Sequence, residues 1–137
     1  GYLETQEGLA VVNQNRALPE DHEKRFWPAM GTLAVHYGKT HSFAELRAYI
    51  RRFGFDDTRA LGTCFKVKRG MGDASLPGAF TKGLLYFRGE RRVQRFLEEG
   101  GDIRELYIGK IALQDLPLVR RVEGIIEPVY MPKFTLV

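Results

Sequence analysis

The segment Thr5-Gln6-Glu7-Gly8-Leu9-Ala10 carries the most chemistry-bearing pattern in the chain. On an α-helix Leu3, Glu7, Ala10, Val11 and Gln14 share one face, which sets a carboxylate into an apolar stripe. A carboxylate in such a place is paired with a cation or bound to a metal, because an unpaired buried charge is costly. Glu7 is therefore a candidate for either an ion pair or a metal ligand. Gly8 costs about 1 kcal/mol of helix stability relative to alanine. Its presence inside the helix points to another backbone approaching closely.

The remaining nucleophilic and metal-ligating residues form no recognisable constellation. His36 and His41 are five positions apart with Gly38 between them, and His22-Glu23 is not followed by a histidine at helical offset, so the histidines are read as structural. Cys64, between Thr63 and Phe65, is the single cysteine and reads as a buried thiol. The chain has no His-Glu-x-x-His helix, Cys-x-x-Cys pair, P-loop, G-x-S-x-G elbow or dinucleotide fingerprint.

The elements that must position these residues are mostly helical. The first helix is expected from about residue 3 to 16. A second opens at Pro19, with Glu20 and Asp21 at the positive end of its dipole, and runs past a kink or break at Pro28 to a stop at Gly38. Ser42-Phe43-Ala44-Glu45 is a capping box for a helix that buries Phe43, Leu46, Ile50 and Phe53 and ends at Gly54. Asp56 and Asp57 can cap a helix through Val67 that closes at Gly70. Residues 71–79 form a loop. A long helix over about 81–99 then turns Leu85, Tyr86, Val93, Phe96 and Leu97 inward and Arg88, Arg91 and Arg95 outward. Residues 106–113 alternate like a strand but lack a partner strand, so a loop leading into a helix at 115–123 is preferred, with Gly124 as its stop. The end, through Pro132, reads as an irregular tail packed back on the helices.

With 137 residues, 44% hydrophobic and 12% aromatic, the chain is neither disordered nor disulfide-stapled, and no linker or repeat divides it. It reads as a single unit over 1–137. No apolar run approaches the ~20 residues that span a bilayer, so no membrane partner is expected and a reducing, cytoplasmic setting is the default. The net charge of +4 comes from 21 basic and 17 acidic residues spread along helical faces, which argues against a nucleic-acid partner. Gly1 enters a helical pattern with no cap, and the expectation is that an upstream portion precedes it.

The string TQEGLAV, with the downstream pieces KRG, GAFTKG-LLYFRG, GKIAL and EPVYMP, resembles the C-terminal part of the QEGLA-motif family. Bacterial members of that family are called flavohemoglobin expression-modulating proteins, and its animal members include the microtubule-associated tyrosine carboxypeptidases. The resemblance runs from Thr5 to Pro132. It implies a mainly α fold: the multi-helix C-terminal part of a zincin-like metallopeptidase domain. It further implies a zinc cofactor held by a His-Glu-x-x-x-His segment lying upstream of Gly1 and by the glutamate of the motif, which is Glu7 here. The two histidine ligands and the general base are then absent from these residues, so the chain alone is expected to be inactive and not to hold zinc. Gly83 departs from the acidic residue expected after Thr-Lys in bacterial relatives.

A carboxypeptidase must also bind the free C-terminus of its peptide or protein substrate, usually through an arginine or lysine in a sheltered pocket. Arg69 and Lys82 lie in the matching pieces and are the candidates for substrate binding. Tyr86, one helical turn beyond Lys82, is a candidate oxyanion donor. An alternative reading is a non-catalytic helical regulatory module whose Arg88, Arg91, Arg92 and Arg95 bind an acidic partner, either a nucleic acid or a protein tail.

Overall fold

The computed structural model describes residues 1–17 and 22–132, with the side chains of 22–25 set aside. The chain is mainly helical: α1 (Tyr2–Ala17), α2 (His22–Gly38), α3 (Phe43–Arg51), α4 (Asp57–Lys68), α5 (Gly83–Glu98) and a short α6 (Leu116–Val119), with 3-10 turns at Ile103–Leu106 and Leu113–Asp115. There is no strand among the described residues. The helix start expected at Pro19, Glu20 and Asp21 lies outside them. From His22 onward α2 is unbroken through Pro28, and Thr32 Oγ1 donates to the Pro28 carbonyl at 3.2 Å. No helix among the described residues is long and apolar enough to cross a membrane.

Local signals set most helix ends. Ser42 and Glu45 form the reciprocal capping box, and the bonds that the Ser42 hydroxyl and amide donate to the Glu45 carboxylate hold it below its usual pKa. Asp56 caps α4 by accepting from the Arg59 amide at 2.8 Å. Gly70, just beyond α4, has φ +78°, a left-handed conformation that favours glycine.

The helices build two compact units, one of Gly1–His22 with Arg88–Val137 and one of Glu23–Phe87. The first has a core of Leu9, Val12, Val93, Ile103, Leu106 and Leu116. The second centres on Met30, Ala34, Val35, Leu46, Ile50, Ala60, Cys64 and Val67. Helix α5 gives its first residues to the second unit and the rest to the first, so no Pro- or Gly-rich linker marks the division in the sequence.

Four local expectations change. The buried face of α1 is Glu4, Thr5, Gly8, Leu9 and Val12, not the face of Leu3, Glu7, Ala10, Val11 and Gln14. The cause is glycine: a Cβ built on Gly8 would lie 2.0 Å from the Gly89 carbonyl carbon, and one on Gly89 would lie 2.1 Å from the Glu4 oxygen. Helices α1 and α5 therefore cross backbone to backbone, and that contact selects which side of α1 turns inward. Phe53 stays exposed, edge-on to Tyr49, because the backbone leaves α3 before reaching it. The helix expected at 115–123 is only Leu116–Val119, since α6 unwinds after a single turn. In the tail Met131 packs on the first core, whereas Val129 and Tyr130 are exposed.

Candidate functional site

The second unit contains a cleft of about 330 Å³. Helix α2 contributes Trp27, Pro28, Gly31 and Val35, and α4 contributes Thr63, Lys66 and Val67; Arg69, Phe80, Lys82, Gly83 and Tyr86 complete the wall. Arg69, Lys82 and Tyr86, the candidates from the sequence, thus line one cavity. They are joined there by Lys66 and Trp27, which sequence reasoning did not select. Lys66 stands three positions before Arg69, one helical turn, and that spacing was the available signal.

Several cleft residues have a local reason for their place. The Arg69 guanidinium lies 4.1 Å from the centroid of the Phe80 ring, a cation–π contact that fixes a long side chain on a flat support. The Phe80 amide donates to the Val67 carbonyl at 2.7 Å, which ties that support to the end of α4. Gly83 lets α5 begin close to α2: a Cβ there would come 3.3 Å from Val35 Cγ2 and 3.6 Å from the Gly31 oxygen. An acidic side chain at this position would have to displace Val35. Thr63, on the cleft side of α4, bonds back to the Arg59 carbonyl at 3.0 Å.

Below the cleft lies a residue that the sequence did not single out. Lys68 is buried, and its Nζ donates to the carbonyls of Gly38, His41 and Leu76. Burial pushes its pKa down from the usual lysine value. Its neighbour in the core, Cys64, is pushed up to about 11 by the same desolvation and is a neutral thiol at physiological pH.

The motif segment sits in the first unit. Thr5 Oγ1 accepts from the Leu113 amide at 3.0 Å, and Gln6 Nε2 donates to the Gly109 carbonyl at 3.5 Å. The TQEGLA and GKIAL pieces, more than 100 residues apart, are therefore partners in space. The buried carboxylate of α1 is Glu4, whose oxygens lie 3.0 Å from Arg92 Nε and 3.8 Å from Arg88 Nη2. The 3.0 Å contact is an ion pair without hydrogen-bond alignment, since the same Glu4 oxygen has no hydrogen-bond partner. Glu7 is half-buried beside these anchored neighbours. Among the described residues no group of three or more His, Cys, Asp or Glu side chains could hold a metal ion. Glu7 thus belongs to no such group among the described residues. His36 is exposed, and His41 stacks on Tyr37 at 3.6 Å, both away from any such cluster.

The basic stripe of α5 is partly committed. Arg88, Arg91, Arg92 and Arg95 are all exposed, but Arg88 and Arg92 serve the buried Glu4.

Comparison with known proteins places the chain in a family. The family model described as microtubule-associated tyrosine carboxypeptidase matches residues 1–136. A putative tyrosine carboxypeptidase, MATCAP2, of Mus musculus is 28% identical over 131 residues, covering 95% of this chain and 24% of the relative. Microtubule-associated tyrosine carboxypeptidase 1 of Rattus norvegicus is 26% identical over 130 residues, and its Homo sapiens counterpart 27%, each covering 95% of this chain and 27% of the relative. The chain thus spans about a quarter of the length of the curated relatives it matches. No solved structure matches it. A family model that covers nearly the whole chain, together with these relatives, establishes that the chain belongs to the microtubule-associated tyrosine carboxypeptidase family.

Proposed function

We propose that this chain is the part of a zincin-like metallocarboxypeptidase domain that binds the C-terminus of a peptide or protein substrate. The observation that carries the reading is the convergence of Arg69, Lys82 and Lys66 with Trp27, Phe80 and Tyr86 around one cleft. A free carboxylate entering it meets a choice of cations, with Arg69 able to offer a two-pronged contact. The aromatic walls suit a terminal aromatic side chain, in keeping with the tyrosine in the relatives' names. Tyr86 has a hydroxyl that can donate to an oxygen gaining negative charge.

Zinc dependence is part of the proposal and rests on the resemblance. Glu7 is assigned as one ligand, with the other ligands and the general base supplied from outside these residues, so the chain by itself is inactive. In a longer protein that includes the histidine segment, Glu7→Gln is expected to remove zinc and activity together. Full zinc occupancy in that variant would end the ligand assignment.

The cleft can be tested on the chain as it stands. Trp27 is its only tryptophan and lines the cleft, so intrinsic fluorescence reports occupancy. A short peptide ending in a free tyrosine should bind about tenfold more tightly than the same peptide with a C-terminal amide, as expected when one charge-assisted contact is lost. Arg69→Ala combined with Lys82→Ala should erase the difference. Equal binding of acid and amide by the wild-type chain would refute the reading.

A further inference from the structure

We propose that Lys68 is the positioning residue of the cleft: its buried ammonium fixes residues 71–80 so that Phe80 stays against Arg69. The inference rests on the reading of the cleft as a terminus-binding site.

A lysine that merely covers apolar surface lays its methylenes along it and sends its charge to water. Lys68 does the reverse. Its three donors meet three backbone carbonyls: Gly38 at the end of α2, His41 just before α3, and Leu76 in the loop. Gly38 and His41 sit at the connection between α2 and α3, while Leu76 lies 35 or more positions further on, so one cation joins that connection to the loop beyond α4.

The loop uses the same anchor points. The Gly78 amide donates to the Gly38 carbonyl at 3.0 Å, so that oxygen accepts from both Lys68 and the loop. The Phe43 amide donates to the Ala74 carbonyl at 2.9 Å, and the Phe80 amide to Val67 at 2.7 Å. Gly38 must be glycine for this arrangement, since a Cβ there would fall 2.8 Å from Val67 Cγ1. From Leu76 the chain has four residues to reach Phe80, whose ring carries Arg69 at 4.1 Å. Loss of the Lys68 anchor frees the Leu76 carbonyl and removes one of the two donors at Gly38. Phe80 and Lys82 then lose their fixed relation to Arg69, although no cleft-lining side chain has been changed.

The experiment compares Lys68→Met with the wild-type chain in two readouts. Hydrogen exchange at the Gly78 and Phe80 amides should accelerate about tenfold, the effect of losing one charged hydrogen bond, while Ala34 and Ile50 in the core keep their protection. The preference for a free-acid over an amide peptide, read by Trp27 fluorescence, should fall by a similar factor. Unchanged exchange at Gly78 and Phe80, or acceleration spread equally over Ala34 and Ile50, would overturn the proposal by showing no local role or only a global one.

Gly78→Ala guards against a Lys68→Met chain that does not fold. Gly78 has φ +145° and a Cβ there would press on Met71 Sδ at 2.9 Å, so the variant disturbs the loop without touching Lys68. It should lose the same acid-over-amide preference, and retention of that preference would count against control by the loop. If the wild-type chain itself shows no preference, the terminus-binding reading fails, and the exchange measurement still decides whether Lys68 holds the loop.

Discussion

In the first unit the polar groups of the motif segment point at other parts of the same unit: Thr5 at Leu113, Gln6 at Gly109, Glu4 at Arg92 and Arg88. In the second unit Lys66, Arg69 and Lys82 line a cleft, while the buried Lys68 bonds to three backbone carbonyls. Both units use charged groups to fix helices, Arg92 with Glu4 in the first and Arg47 with Asp57 in the second, and the second also sets three cations around a cleft. The difference shows in how space is used. Where α1 meets α5 there is no room even for a methyl group. Where α2, α4 and the start of α5 meet, about 330 Å³ is left open. A functional reading of a charged residue therefore depends on whether it borders open space.

The sharpest way to break this contrast is to overfill the tight contact. Gly8→Ala places a Cβ 2.0 Å from the Gly89 carbonyl carbon, an overlap that flexible side chains cannot absorb because both walls are backbone. The expected cost is about 3 kcal/mol, at the upper end for overpacking. Urea unfolding should show it as a lower midpoint. A loss under about 1 kcal/mol would mean that α1 and α5 can part easily and that the glycine crossing does not set the face of α1.

The cleft should respond in the opposite manner. Arg69→Ala removes a partly exposed cation–π contact, worth about 0.5–1 kcal/mol at such sites, so stability should change little. Binding of a free-acid peptide should nonetheless weaken about tenfold. Thermal melts and the Trp27 titration separate the two effects. A variant that lost stability as much as affinity would place Arg69 with the holding residues of the first unit.

These particulars also show how far the sequence was legible. Caps and stops are local, so Ser42 with Glu45, Asp56, Gly70 and the loop at 71–79 could be read directly. Gly8 was recognisable as a close-approach glycine, but its partner Gly89 lies 81 positions away and has no pattern of its own. Ranking faces of α1 by apolar content consequently favoured Leu3 and Val11 over Glu4 and Thr5. The burial of those polar residues depends on Arg92 and on the Leu113 amide, neither visible from local periodicity. In the site, Arg69, Lys82 and Tyr86 were reachable through the matching motif pieces. Lys68 was not, although it begins the KRG piece, because backbone carbonyls from two separate connections leave no trace in side-chain spacing.

A milder test uses the same substitution where space is free. Gly62 lies inside α4 in the second unit, and a Cβ there would meet nothing within 4 Å. Gly62→Ala should therefore stabilise the chain by about 0.8 kcal/mol through helix propensity alone. Opposite signs for Gly8→Ala and Gly62→Ala in the same denaturation experiment would confirm that packing, not glycine content, distinguishes the two regions. Destabilisation by Gly62→Ala would reveal a neighbour pressed against that face.

The smallest effect concerns the charges that hold the first unit. Glu105 accepts from Arg120 Nε and Nη2 at 2.7 and 2.8 Å, and this hydrogen-bonded pairing pulls its pKa below the usual glutamate value. Because the folded carboxyl is the stronger acid, the unfolded chain binds more protons between the folded and unfolded pKa values. The stabilisation is fully present above the unfolded pKa and disappears as pH falls through the folded one. Arg120 is more than half exposed, so solvent screens the pair and its worth is below about 1 kcal/mol. Glu105→Gln should cost that amount at pH 7 and nothing once pH lies below the folded value, with salt shrinking the difference further. A pH-independent cost would show instead that Glu105 acts through packing beside Leu106, and that charge contributes nothing to holding this end of the first unit.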